Sequence, residues 1–203
     1  AKSGPDYIDP RFHALASQSE CFNLDAWAMS EERLASIASK TNNYLIIEGA
    51  MGLFDGALPD AHGSTAHLGQ ILKLPIILII DASKISQSIA AIAQGFINFD
   101  HRLKIGGIIL NKVGSKKHER ILKHSLSAIN IPVLGCVYRD PKLKLPSRHL
   151  GLVQAQELSD LNKFIYNAAQ IMESSIDLDQ LITICTNLPA QITSEIISPP
   201  AQR

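Results

Sequence analysis

Apolar residues fall in short unbroken runs along the chain, and each run stops at a polar residue. Tyr44-Leu45-Ile46-Ile47 ends at Glu48, Ile76-Ile77-Leu78-Ile79-Ile80 ends at Asp81, and Ile105-Gly106-Gly107-Ile108-Ile109-Leu110 ends at Asn111. Runs of this length, β-branched and without alternation, predict strands buried on both faces, as in a parallel sheet. Pro132-Val133-Leu134-Gly135-Cys136-Val137 predicts a further strand of the same kind.

Helical spacing fills the intervals. Residues 64–73 carry Ala66, Leu68, Ile71 and Leu72 behind a Gly63-Ser64-Thr65 start that can cap a helix. Residues 85–97 carry Ile85, Ile89, Ile92, Ala93 and Phe96, and residues 116–129 carry Ile121, Leu122, Leu126 and Ile129. Two more helices are predicted over 155–172 and 176–186. Strand and helix alternating at short spacing imply right-handed crossovers. The fold class is therefore α/β, a mostly parallel sheet flanked by helices. One domain is expected over 1–197, with a disordered Pro/Ser/Gln-rich tail over 198–203. Ligands of open parallel sheets sit outside the carboxyl ends of the strands. Glu48, Asp81 and Asn111 occupy those ends. A polar residue after a strand can equally be the first loop residue, but three together favour a site.

Composition narrows the function classes. The chain has 203 residues, 46% hydrophobic, with 19 basic and 19 acidic residues. A neutral chain has no overall pull on nucleic acid or on an anionic membrane surface, so neither is an expected partner. The apolar runs are shorter than the roughly 20 residues of a membrane helix, and the N-terminal residues lack a signal-peptide apolar core. Cys21, Cys136 and Cys185 stand far apart with no C-x-x-C pair, which argues against zinc or disulfides and fits a cytoplasmic protein.

Four segments carry candidate chemistry. Gly4-Pro5-Asp6-Tyr7-Ile8-Asp9-Pro10 sets two carboxylates three residues apart in a shaped turn. Asp9 before Pro10 also suits a helix N-cap, which leaves Asp6 as the stronger candidate for metal or substrate work. Glu48-Gly49-Ala50-Met51-Gly52-Leu53-Phe54-Asp55-Gly56 places a carboxylate at a strand end before glycines. Glycines let backbone amides approach an anion while the acid faces a hard cation. Mg²⁺ takes one or two carboxylates plus phosphate oxygens and water, which suits Glu48 with Asp6. The other reading is a glycine-rich turn with a solvated Asp55. Asn111, in Asn111-Lys112-Val113-Gly114, offers the donor and acceptor that an adenine edge requires, or else serves a turn. Arg148 and His149, on a predicted loop, could hold a polyanionic substrate. The remaining histidines form no i,i+4 metal pair on one helix.

The segments GPDYIDPRFH, NLDAW, IIEGAMGLFDG, GSTAHL, PIILIIDASKISQS, GFINFD, GGIILNKVGSKKH, IPVLGCVYRD and LPSRHLGLV, in this order, resemble the cobyrinic acid a,c-diamide synthase family over roughly residues 1–155. The resemblance implies a P-loop NTPase-like fold similar to dethiobiotin synthetase. It implies ATP and Mg²⁺ as cofactors, and amidation of the a and c carboxylates of a corrin-type substrate, cobyrinate or hydrogenobyrinate, through an acyl phosphate. Carried over by position, Glu48 and Asp6 would bind Mg²⁺, Asp6 and Asp9 would lie where phosphate meets substrate, and Lys2 would touch the transferring phosphate. Asp55 would orient the substrate, Tyr7, Ser64, Thr65, Arg148 and His149 would bind it, and Asn111 would read adenine.

Two departures accompany the match. No G-x-x-x-x-G-K-[ST] phosphate loop occurs in these residues, so the fold is expected to be incomplete at the N-terminus and the isolated chain to bind ATP poorly. None of the three cysteines has the setting of a glutaminase nucleophile, so ammonia is expected from a glutaminase domain of the same full-length chain. A missing first strand would leave an open sheet edge, from which a homo-oligomer or a non-catalytic assembly module is the alternative expectation. A nickel-sirohydrochlorin a,c-diamide synthase or a cobyric acid synthase relative is the alternative within the enzyme class.

Overall fold

The computed structural model describes residues 1–40, 44–144 and 161–185. The chain divides into two compact units, one built on Ala1–Leu74 and one on Pro75–Cys185.

In the first unit, β1 (Lys2–Ser3) pairs in parallel with β2 (Asn23–Leu24). Helices α1 (Asp9–Ser17), α2 (Glu31–Ala38) and α3 (Thr65–Leu72) complete it. The sequence expectation of a strand over 44–47 is met only in part. An isolated parallel bridge joins Glu48 to Lys2, with Ser3 N–H donating to Glu48 O at 2.8 Å and Glu48 N–H donating to Ala1 O at 3.0 Å. The run is also not buried on both faces. Leu45 and Ile47 pack on a core of Leu24, Leu34, Leu68 and Leu72, whereas Tyr44 and Ile46 are exposed. Among the described residues, the run's only ladder partner is the two-residue β1, and apolar cover meets one side of the run. Helix α2 is capped by the Ser30 side chain, which accepts from Arg33 N–H, and α3 by Ser64, which accepts from His67 N–H. The α3 cap sits where the sequence placed it.

The second unit contains the parallel ladder β3 (Ile76–Asp81), β4 (Ile105–Val113) and β5 (Val133–Tyr138), in that order. Helices α4 (Ile89–Phe99) and α5 (Lys116–Leu126) form the crossovers, and α6 (Leu161–Ser175) and α7 (Leu178–Ile184) follow. Central β4 is buried along most of its length, as a two-sided parallel strand should be. Edge strand β3 instead alternates: Leu78 and Ile80 are buried and Ile79 is exposed. On one face Ile77, Ile109, Leu134 and Val137 meet Ile171 and Met172 of α6 and Leu181 and Ile184 of α7. Gly135 permits this approach, because a Cβ there would run into the Ser175 carbonyl and the Ile176 Cα.

Polar contacts fasten α5 to β5. The Glu119 carboxylate accepts from Lys123 Nζ at 2.8 Å, lies 3.4 Å from Lys116 Nζ, and receives the Tyr138 hydroxyl. These lysines line a cleft of about 680 Å³ beside β5, but Glu119 engages both, so among the described residues the cleft offers no uncommitted cation to an anion. The Lys123 and Tyr138 bonds hold the Glu119 pKa down at about 2, against an ordinary 4.5. A depressed carboxylate stabilises the fold above its unfolded pKa, and that contribution fades as pH falls from 4.5 toward 2. Glu119→Gln should therefore lower the urea midpoint at pH 7 and converge on the parent only below about pH 2.

Candidate active site

The chain's beginning, α1 and the Glu48 bridge assemble a cluster of charge. Lys2 is 5% exposed. Its ammonium lies 2.9 Å from Asp9 Oδ2, 3.4 Å from Glu48 Oε2 and 4.0 Å from Asp6 Oδ2, and it donates to Gly49 O at 3.1 Å. Backbone geometry fixes this convergence, because β1 carries Lys2 and Glu48 is bridged to the same residue. Burial of the ammonium works against its charge, yet the Asp9 hydrogen bond and the charges of Glu48 and Asp9 outweigh it, and its pKa rises above 10.5.

The two aspartates exchange the roles expected from spacing. Asp9 does not cap α1; it is the first helical residue, and Ile8 in the cap position makes no side-chain cap. Asp6 supplies the cap instead, its Oδ1 accepting from Ile8 N–H at 2.7 Å and Asp9 N–H at 3.1 Å. Burial pushes the Asp6 pKa up, but these two N–H donors pull harder, and it settles below 3.8. Asp6 therefore spends one oxygen on the turn and turns the other to Lys2. Asn23 donates to Asp6 O at 2.7 Å, while its own Oδ1 is buried with no donor among the described residues.

His13 completes the cluster, and spacing rules did not single it out. Its Nε2 meets Glu48 Oε2. Asp9 and His13 are four residues apart on α1 and so share a face, a signal present in the sequence but informative only once Lys2 and Glu48 are known to lie opposite.

The loop after Glu48 closes on the start of α3. Thr65 Oγ1 accepts from Ala50 N–H at 3.1 Å. A Cβ at Gly49 would lie 2.8 Å from that oxygen, so glycine is required there. Asp55 Oδ2 accepts from Gly52 N–H at 2.8 Å, which gives Asp55 a turn-holding role within its own loop. Ser64 is buried as the α3 cap, and Tyr7 is exposed. The first unit thus brings together Lys2, Asp6, Asp9 and Glu48, and separately links Thr65 to the Glu48 loop.

Asn111 belongs to the second unit. It pairs in register with Asp81 at the carboxyl ends of β4 and β3, and its Oδ1 accepts from Lys112 N–H at 2.8 Å. Lys112, at a left-handed φ of 57°, donates to Asp81 at 2.7 Å and drives the Asp81 pKa far below the ordinary carboxylate range. Arg139 donates to Ser83 O at 2.6 Å, tying the end of β5 to the loop after β3. Arg148 and His149 lie outside the described residues.

The family model for the CobQ/CobB/MinD/ParA nucleotide binding domain matches residues 6–153. The chain belongs to this family. Among curated relatives, it is 51% identical over 187 residues to the hydrogenobyrinate a,c-diamide synthase of Brucella anthropi, covering 90% of this chain and 43% of that protein. It is 43% identical over 210 aligned positions to the enzyme of that name from Agrobacterium fabrum, covering 100% of this chain and 48% of the relative. A Sinorhizobium enzyme of the same name is 45% identical over 208 positions, with 100% and 48% covered. The chain spans a little under half the length of these relatives. The resemblance read from the sequence motifs and the P-loop NTPase-like α/β class both hold. Among the described residues no helix is long and apolar enough to cross a membrane.

Removal of the Lys2 charge leaves Asp6, Asp9 and Glu48 facing each other. Lys2→Met should cost about 2 kcal/mol of unfolding free energy at pH 7, the scale of a hydrogen bond to a charged group. A raised lysine pKa stabilises below the unfolded value and is lost as pH rises through the folded one. The gap between variant and parent in urea unfolding should therefore persist at neutral pH and narrow only above about pH 10.5.

Proposed function

We propose that this chain is the nucleotide-dependent part of an ATP-driven a,c-diamide synthase that acts on hydrogenobyrinate or cobyrinate in cobalamin biosynthesis. The carrying observation is the convergence of Asp6, Asp9 and Glu48 on the buried ammonium of Lys2. The names of the relatives supply the substrate class. Residues 1–197 are read as one functional synthetase part of a longer cytoplasmic enzyme.

The reaction needs a substrate carboxylate to attack the γ-phosphorus of ATP, expelling ADP and leaving an acyl phosphate. Ammonia then attacks the acyl carbon, inorganic phosphate departs, and the nitrogen gives up a proton to leave the amide. Lys2 is assigned to meeting negative charge on the transferring phosphoryl group. Asp55, Ser64 and Thr65 are assigned to orienting the substrate carboxylate, Thr65 from a helix start. Tyr7, Arg148 and His149 are assigned to the rest of the substrate, and Asn111 to the adenine edge. Ammonia comes from a glutaminase domain outside these 203 residues.

The donor set suits Mg²⁺. Three carboxylates against one ammonium leave two formal negative charges, and every donor is a hard oxygen. Among the described residues, no group of three or more His, Cys, Asp or Glu side chains is arranged so that it could by itself hold a metal ion. Mg²⁺ usually takes only one or two protein carboxylates, with phosphate oxygens and water completing its shell. Glu48 and Asp6 would hold it, and the ion would offset charge on the phosphates.

In the complete amidating enzyme, Glu48→Gln should lower ATP-dependent amidation at least tenfold, as expected for a lost metal ligand. Unchanged turnover at saturating Mg²⁺ would reject that assignment. Asn111→Ala should raise the KM for ATP far more than that for the corrin substrate, and equal changes would remove Asn111 from the adenine site.

A further inference from the structure

Helix α1 has no buried residue. Its polar attachments near Glu48 are the Asp6 cap, Asp9 on Lys2 and His13 on Glu48. Two donors fall on the same carboxylate oxygen: Lys2 Nζ lies 3.4 Å from Glu48 Oε2, and His13 Nε2 meets that atom too. A carboxylate can only accept, so the imidazole nitrogen donates. Among the described residues, no hydrogen bond or ion pair engages Glu48 Oε1.

From this asymmetry we infer that His13 is a positioning residue, locking Oε2 of Glu48 so that Oε1 is presented to a divalent cation. The inference rests on reading Glu48 as a metal-binding carboxylate. The Glu48 side chain is 49% exposed. An exposed glutamate has rotamer freedom that a metal must remove on binding, at an entropic cost. The Glu48 backbone is already fixed by its bridge to Lys2, and His13 extends that order to the carboxylate. Partners that orient metal ligands in this way shift affinity by roughly 10–100-fold when removed. As a surface contact alone, the same pair would do almost nothing for stability, so metal affinity separates the two roles.

The test is Mn²⁺ binding followed by the loss of the free-ion paramagnetic resonance signal, on the complete amidating enzyme and on its His13→Ala, His13→Gln and Glu48→Gln variants. His13→Ala should raise the Mn²⁺ dissociation constant about tenfold with an unchanged urea midpoint. His13→Gln, whose amide can donate to the same oxygen, should return it to within about threefold of the parent. If His13→Ala binds Mn²⁺ as the parent does while Glu48→Gln loses it, His13 does not position the ligand and the inference is overturned. If Glu48→Gln binds Mn²⁺ like the parent, the metal reading of Glu48 fails and the inference falls with it.

Discussion

A buried ammonium is the constraint from which the first unit takes its form. Lys2 is nearly inaccessible, and an isolated charge in that position would be prohibitive. It is tolerated because β1 delivers it between the start of α1 and the Glu48 bridge, where three carboxylates and a main-chain carbonyl meet it. Each acid reaches it by a different local device. Asp9 does so as the first residue of a helix, Asp6 by sharing itself between a turn and the ammonium, and Glu48 through its backbone bridge. Charge pairing therefore dictates how the GPDYIDP turn, α1 and the EGAMG loop are arranged, and apolar packing of α1 contributes no buried side chain.

Much of the second unit was legible because period and burial agree there. The runs ending at Asp81 and Asn111 became β3 and β4, the Pro132–Val137 segment became β5, and the intervening spacing became α4 and α5. Central β4 reads as two-sided because it is. The run ending at Glu48 has the same composition but a different outcome, since ladder pairing depends on neighbours that a local pattern does not contain. Ile79 shows the same limit, as an isoleucine in an unbroken run that is nonetheless exposed on an edge strand.

The site was legible as a set of acids and much less so as a set of roles. Spacing assigned the cap to Asp9, because a residue before proline suits that position, whereas the chain caps α1 with Asp6. Both residues could meet the helix start, and only three-dimensional placement of Lys2 decides which one is released to pair with it. His13 was invisible for a related reason. Its partner lies 35 residues away, and an i,i+4 Asp–His pair has no meaning until something stands opposite both.

These corrections bear on what the cluster can do under the proposed reading. A carboxylate that caps a turn is held rigidly, so Asp6 can offer a cation one oxygen in a fixed place at little further entropic cost. Glu48 is more exposed, and its fixation depends on side-chain contacts at Oε2. The two carboxylates assigned to Mg²⁺ thus differ in kind, one preset by backbone N–H groups and the other by Lys2 and His13. Since Lys2 also bonds both Asp9 and the Gly49 carbonyl, a divalent ion drawn to the acids need not displace the ammonium from the site. Lysine and metal can then share the carboxylates, and the two formal negative charges left uncompensated by Lys2 are what make room for the second cation.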